Sequence, residues 1–198
     1  MKKLSLVLVI IGTIGCSHFR PEHKEKASEN EKPRPKITVN VEGVSGKYAE
    51  NVRAHLSLAR KSCDVSKTYL SSLLKKGALE AQSALSAYGY YDSKLDLEIN
   101  TAEACSLVTV HVRDLGSPVV YQNLSISIEG AASEDEAFMN VVKGLKLIKG
   151  ERLQHKEYED AKATIQAIAA ERGYFDGKFL TSRLEVTPKA GHARVLLK

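Results

Sequence analysis

The sequence lacks the short motifs that identify most cofactor-dependent and metal-dependent enzymes. It has no phosphate-binding P-loop and no glycine-rich dinucleotide loop. Its three cysteines form no Cys-x-x-Cys pair, and its six histidines are never spaced like metal ligands. These absences favour a protein that is not an enzyme and that needs neither cofactor nor metal. They leave open an enzyme whose catalytic groups meet only in the folded chain, such as an envelope hydrolase on an α+β scaffold.

Basic residues are only in modest excess. There are 29 lysines and arginines against 24 aspartates and glutamates, which gives a formal net charge of +5. This excess attracts the chain to anionic surfaces in general. It is spread along the sequence, whereas a nucleic-acid-binding domain usually concentrates its basic residues on one face. The composition therefore does not favour a nucleic-acid partner.

Residues 1–16 are organised like an export signal. A basic start precedes an apolar run over residues 4–11, which is too short to span a bilayer in the mature protein. Cys16 follows the small Gly15 directly behind this run. The order resembles the lipobox of bacterial lipoproteins and makes Cys16 the candidate for lipidation. Ordinary cleavage after Gly15, without lipidation, is the alternative.

Residues 17–36 are rich in charge and contain three prolines. Such a composition cannot build a hydrophobic core, so it predicts a disordered tether. A flexible coil of this length reaches about 25 Å. The tether would hold a folded part just off a membrane surface.

The remaining chain divides into two halves with one predicted order of elements: strand, helix, helix, strand, strand. Alternation of apolar and polar residues predicts the strands, and three-and-four spacing predicts the helices. The halves are residues 37–116 and residues 117–198, and the last strand looks incomplete where the sequence stops. In the first half, the apolar positions that predict the first helix are Tyr48, Val52, Leu56 and Ala59. Those that predict the second helix are Leu70, Leu73, Leu74, Ala78, Ala81, Ala84, Leu85 and Tyr88.

Two landmarks recur at nearly equal offsets in the two halves. Glu129-Gly130 follows Glu42-Gly43 by 87 positions, and a Gly-Tyr-Phe-Asp motif at residue 173 follows a Gly-Tyr-Tyr-Asp motif at residue 89 by 84. The recurrence predicts a duplicated βααββ module. Each module should be α+β, with both helices on one face of a three-stranded mixed sheet. The third strand should lie parallel beside the first, which leaves the second strand at an edge.

The two Gly-Tyr-aromatic-Asp motifs stand between the second helix and the second strand of each module. A structural interpretation makes the glycine the helix stop and lets one aromatic ring close the core. A functional interpretation makes the aromatic residues a surface on which a ligand stacks. The residues concerned are Gly89, Tyr90, Tyr91, Asp92, Gly173, Tyr174, Phe175 and Asp176.

Cys63 and Cys105 are the candidate disulfide. Export would bring them into an oxidising compartment, in which a bridge persists. Two buried free thiols are the alternative.

The second strand of each module is the candidate surface for a partner. An edge strand exposes unpaired backbone donors and acceptors, and it can accept an extended segment as an added strand. Its charged residues can equally be guards against aggregation, with no partner at all. The positions are Leu95, Asp96, Leu97, Glu98 and Ile99 in the first module and Phe179, Leu180, Thr181, Ser182 and Arg183 in the second.

In combination, these features resemble the POTRA repeat of bacterial outer-membrane assembly proteins, over residues 37–198. The first module is similar to the amino-terminal region of the TamA family, and the second to the repeat that follows it there. The stretches that carry the resemblance are Val39-Asn-Val-Glu-Gly-Val-Ser-Gly46, Asn51-Val-Arg-Ala-His-Leu56, Ala87-Tyr-Gly-Tyr-Tyr91 and Arg172-Gly-Tyr-Phe-Asp176.

The resemblance implies a non-enzymatic scaffold in the periplasm, at the outer membrane of a Gram-negative envelope. It implies a TamB-like inner-membrane protein as partner and outer-membrane proteins as clients. Because the family continues into a further POTRA repeat and a membrane β-barrel, the anchor would be either a lipid on Cys16 or a barrel that follows these modules. The alternative is a free-standing envelope lipoprotein that serves as an adaptor or chaperone.

Overall fold

The computed structural model describes residues 34–100 and 105–198 of the chain. The export-signal segment with Cys16, and the tether up to residue 33, lie outside the described residues. Residues 34–198 form one compact unit that contains both modules. Among the described residues, no helix has the length and apolarity needed to cross a membrane.

Module 1 has the predicted order of strands and helices. It consists of β1 (Thr38–Glu42), α1 (Lys47–His55), a 3-10 helix (Ser57–Arg60), α2 (Lys67–Ser86), β2 (Lys94–Asn100) and β3 (Leu107–Asp114).

The sheet of module 1 has the strand order β1-β3-β2. Val110 of β3 is in register with Val41 on the parallel side and with Leu97 on the antiparallel side. Val108 and Val110 are fully buried, because alternate residues of the central strand face the helices. The prediction of a mixed sheet with its second strand at an edge is therefore confirmed.

Helix α2 forms where the sequence combines a cap with an apolar stripe. The Ser66 hydroxyl accepts a hydrogen bond from the backbone N–H of Tyr69, which satisfies one of the free donors at the helix start. The buried side of the helix consists of Leu70, Leu73, Gly77, Ala81, Ala84 and Leu85.

The first helix is shorter than the apolar spacing predicts. Helix α1 ends at His55, and Leu56 adopts an extended conformation before the 3-10 helix begins. The break allows both Leu56 and Leu58 to be completely buried, which one continuous helix would not do. The backbone N–H of Ser57 then donates to the Glu80 carboxylate, 2.7 Å away. Tertiary burial thus overrides the helical pattern at this point.

Module 2 repeats the arrangement. It consists of β4 (Val120–Ile126), a 3-10 helix (Gly130–Glu134), α3 (Glu136–Gly144), α4 (His155–Glu171), β5 (Ser182–Thr187), a 3-10 helix (Pro188–Ala190) and β6 (His192–Leu197). The strand order is β4-β6-β5, the same as in module 1. Its core is separate from that of module 1 and includes Tyr121, Phe138, Leu153, Tyr158, Ile165, Val195 and Leu197.

Cys63 and Cys105 lie next to each other at one end of module 1. Their sulfur atoms are within bonding distance, and their Cα atoms are 5.1 Å apart, inside the range that disulfides require. We expect the variant Cys63→Ser/Cys105→Ser to lose about 3–4 kcal/mol of unfolding free energy, because a bridge over 42 positions restricts the unfolded chain. Urea denaturation with and without reductant measures the effect. If reductant leaves the unfolding free energy of the natural chain unchanged, the two cysteines are not bridged.

Candidate protein-interaction surfaces

The outer edge of β2 is open along its length. Within residues 34–100 and 105–198, no strand pairs with β2 on the side away from β3. Leu95, Leu97 and Ile99 are partly buried against the core, whereas Asp96 and Glu98 are exposed. The edge therefore combines free backbone groups with an apolar row that is anchored in the module.

The opposite edge of each sheet is partly covered by a loop of its own module. In module 1, the backbone N–H of Ile37 donates to the carbonyl of Lys61 at 3.0 Å. In module 2, the backbone N–H of Tyr121 donates to Glu151 at 2.9 Å, and Tyr121 in turn accepts from Gly150 at 2.7 Å. The edges at β2 and β5 are thus the more accessible ones, and they are the edges that the sequence predicts as partner surfaces.

Charged side chains surround the β2 edge on the sheet face away from the helices. Arg113 donates to Asp96 over 2.8 Å, and this hydrogen bond holds the pKa of the Asp96 carboxyl below its usual value. His111 lies between Glu42 and Glu98, with nitrogen-to-oxygen distances of 3.1 and 3.3 Å. The described part of the chain contains no cluster of three or more side chains suited to hold a metal.

The edge of module 2 begins later than the sequence predicts. Ser182 and Arg183 belong to β5, but Phe179, Leu180 and Thr181 precede it. The backbone N–H groups of Leu180 and Thr181 both donate to the carbonyl of Lys198, at 2.7 and 3.3 Å. The N–H of Lys198 donates in return to the carbonyl of Thr181 at 2.9 Å, so Thr181 continues the pairing of β5 with β6 by one residue, and Phe179 and Leu180 precede it.

The motif at the end of α2 lies at the contact between the two modules. The backbone N–H of Val119 donates to the carbonyl of Gly89 at 2.9 Å, and that of His155 donates to the carbonyl of Ala87 at the same distance. Gly89 has a φ of +89°. The start of α4 thus meets the end of α2, where a helix amino terminus satisfies a free carbonyl of a helix carboxyl terminus.

Arg152 joins this junction to the core of module 1. Its guanidinium donates to the hydroxyl groups of Tyr48 and Tyr90, at 2.6 and 3.1 Å. It also lies 5.8 and 5.5 Å from the centres of the same two rings. A planar, permanently charged group can form both types of contact at once.

Tyr91 and His155 form a further contact across the junction, between the phenol oxygen and Nε2. Burial raises the pKa of Tyr91, and burial lowers the pKa of His155. Both shifts favour neutral side chains, which suits a contact that is half removed from water.

The second motif has no such neighbour among the described residues. A Cβ added to Gly173 would meet no atom within 4 Å, and Phe175 is 83% exposed. The Tyr174 ring packs edge-on against Phe138 with 5.5 Å between centroids, and its hydroxyl group donates to Asp135. The two copies of one motif therefore occupy different environments: the first lies where the two modules meet, and the second contacts only residues of module 2 among those that the structure describes.

Sequence reasoning did not find Arg152 or His155 as junction residues. Arg152 is separated from Tyr48 by 104 positions and from Tyr90 by 62, and no local pattern connects residues so far apart. The repeat itself was the usable signal, because it placed the end of one module next to the start of the other.

Residues 38–114 match the family model described as POTRA domain, TamA domain 1. Module 1 is thus similar to the first POTRA domain of the TamA family. The match ends where β3 of module 1 ends, so it covers the first of the two repeats.

Solved structures of POTRA domains match most of the chain at low identity. BamA POTRA3-5 of Haemophilus influenzae is 15% identical with a TM-score of 0.45; the match covers 83% of this chain and 65% of that one. The N-terminal domain of Omp85 from Thermosynechococcus elongatus is 18% identical with a TM-score of 0.38; coverage is 84% and 63%. POTRA1-2 of the periplasmic domain of Omp85 from Anabaena is 14% identical with a TM-score of 0.35; coverage is 83% and 93%. The chain thus spans less than two thirds of the first two structures.

The junction can be tested at the two equivalent glycines of the tandem. In Gly89→Ala the new Cβ would lie 2.7 Å from the Leu153 carbonyl oxygen, whereas in Gly173→Ala it would meet nothing. Both variants bear the cost of a left-handed backbone, about 1–2 kcal/mol. We expect Gly89→Ala to lose about 1–3 kcal/mol more, as overpacked sites do. Chemical denaturation followed by circular dichroism measures the difference, and equal losses would contradict the junction.

Arg152→Lys tests the bridge between module 2 and the tyrosines. Lysine keeps the charge but lacks the flat guanidinium that lies beside both rings while one of its nitrogens donates to both hydroxyl groups. We expect a loss of about 1–3 kcal/mol of unfolding free energy. Arg172→Lys is the matched control, because Arg172 is half exposed and pairs with Asp135 within module 2. Its loss should stay below about 1 kcal/mol, and a control loss as large as that of Arg152→Lys would refute the bridge.

Proposed function

We propose that this chain is a non-enzymatic, periplasmic protein-interaction scaffold of a TamA-like outer-membrane assembly module. The POTRA assignment of module 1 supports this role, because POTRA domains are periplasmic interaction modules of outer-membrane assembly proteins. A TamB-like inner-membrane protein and outer-membrane protein clients are the proposed partners. Anchoring at the outer membrane, through a lipid on Cys16 or through a barrel that follows the tandem, is part of the same proposal.

The open edge of β2 is the observation that carries the proposal. Seven residues, Lys94–Asn100, form this strand, and β3 pairs with it on one side only. An added strand would form main-chain hydrogen bonds to the other side. Its alternate side chains would meet the exposed carboxylates of Asp96 and Glu98 on one face and continue the apolar row of Leu95 and Leu97 on the other.

The β5 edge offers a second, shorter surface of different charge. Arg183 is exposed there, and it lies 3.8 Å from Glu185 on the same strand. The two edges thus present different side chains to an added strand. We propose that both can hold extended segments and that β2 is the principal site.

Site-specific photo-crosslinking tests the β2 edge. A photo-reactive phenylalanine analogue replaces Asp96 or Glu98 in the full chain, expressed in its envelope. We expect adducts with envelope proteins, because a strand added to β2 would place its side chains beside these two positions. Leu79 is the matched control position, since it is 74% exposed on the outer side of α2.

Hydrogen exchange of the β2 amides distinguishes strand addition from mere proximity. When a crosslinked partner segment is added as a synthetic peptide, the outward amides of β2 should exchange at least tenfold more slowly, because they become hydrogen-bonded. Adduct yields that are equal at positions 79, 96 and 98, with unchanged exchange, would reject the edge as the binding site.

A further inference from the structure

The connection between α3 and α4 presents an apolar tip among cations. Residues 143–152 contain Lys143, Lys146, Lys149 and Arg152 but a single acid, Glu151. Ile148, in the middle of this segment, is 57% exposed. Single exposed aliphatic residues are ordinary on protein surfaces, so the surrounding charges decide whether this one has a role.

The tip is held in place by the fold. Leu147, directly before Ile148, is buried in the core of module 2. The backbone N–H of Glu151 donates to the carbonyl of Ile148 at 3.1 Å, and that of Gly150 donates to Tyr121 at 2.7 Å. Because Leu147 is anchored in the core and the hydrogen bond from Glu151 closes a turn, the side chain of Ile148 stays directed outward. The segment therefore loses little conformational entropy when Ile148 makes a contact.

The three lysines around the tip have no acidic partner. Lys143, Lys146 and Lys149 are exposed, and within the described residues none of the ion pairs includes them. By contrast, Lys156 on the following helix is paired with Asp160 at 2.5 Å. Positive charge without an acidic partner is therefore concentrated at the tip, whereas Lys156 on the following helix is neutralised by Asp160.

A polar cavity adjoins the lysine next to the tip. Its volume is about 590 Å³, and its lining consists of Gln122, Asn123, Leu124, Lys149, His192 and Arg194. Arg194 has one ion-pair contact among the described residues, with the Glu185 carboxylate at 3.9 Å, and this contact is long and half-exposed. Amide and cationic donors that converge on one cavity suit a phosphate group.

From this combination we propose that the tip at residues 143–149, with the cavity beside it, is a docking surface for an anionic phospholipid bilayer. Ile148 enters the boundary between headgroups and acyl chains, the lysines face the headgroup phosphates, and the cavity between Lys149 and Arg194 holds one of those phosphates. Peripheral membrane binding uses this pairing of buried apolar area with basic residues. A nucleic acid would leave the exposed isoleucine without a function, so the apolar tip favours a bilayer.

Vesicle sedimentation tests the proposal on the full chain with Cys16→Ser, which removes any acyl anchor. The probes are vesicles of phosphatidylcholine with about one-third phosphatidylglycerol, and vesicles of phosphatidylcholine alone. On the anionic vesicles, Lys143→Gln/Lys146→Gln/Lys149→Gln should lower the partition coefficient about a hundredfold, because each lysine near the surface contributes about fivefold. Ile148→Ser should lower it about tenfold. Every variant shares the apolar amino terminus, so the differences isolate the tip.

Matched controls lie in module 1. Lys47→Gln/Lys67→Gln/Lys75→Gln removes the same charge from exposed lysines elsewhere, and Leu79→Ser removes a leucine that is 74% exposed. We expect changes of less than about threefold for both, because diffuse charge contributes weakly at physiological salt.

Three results would overturn the proposal. Equal losses in the tip and control triples would assign the binding to net charge. Full competition by inorganic phosphate, together with an unaffected Ile148→Ser, would assign it to free anions. Tighter tip-dependent binding to a short DNA duplex than to anionic vesicles would assign it to nucleic acid.

Discussion

The close contact between the Gly89 backbone and the loop before α4 is the constraint on which the tandem depends. At this point two carbonyl groups directly after α2, those of Gly89 and Ala87, accept hydrogen bonds from Val119 and His155 of module 2. The contact is possible because Gly89 has no side chain. Arg152 then holds the same loop to two tyrosines of module 1. The two modules are thereby joined through backbone as well as side chains.

The fold was predictable because its signals are local and periodic. Alternation identified the strands, and the recurrence of Gly89 and Gly173 in matching contexts identified the duplication. The structure differs where a distant contact competes with the local pattern. Leu56 leaves the predicted helix because it and Leu58 are both buried when the chain bends there.

The candidate surfaces were predictable to different degrees for the same reason. Strand order follows from element order, so the β2 edge could be identified before any coordinates. The junction could not, because Arg152, Tyr48 and Tyr90 come together only in the fold. The composition did not predict the basic tip either. A small net excess of basic residues along a sequence does not show which lysines lack an acidic partner in the fold. Lys149 and Arg194 converge on one cavity only when β4 and β6 pair.

The two Gly-Tyr-aromatic-Asp motifs show that the copies of a duplicated motif can be under different structural constraints. Both glycines adopt a positive φ, so both copies of the motif have the same local backbone requirement. Only the first is now also confined by a neighbouring module, and only its second aromatic residue is sheltered by a histidine. Corresponding positions of a repeat are therefore not equivalent sites for substitution. Within the described tandem, a replacement at Tyr91 would remove a contact between the two modules, whereas a replacement at Phe175, which is 83% exposed, would remove none.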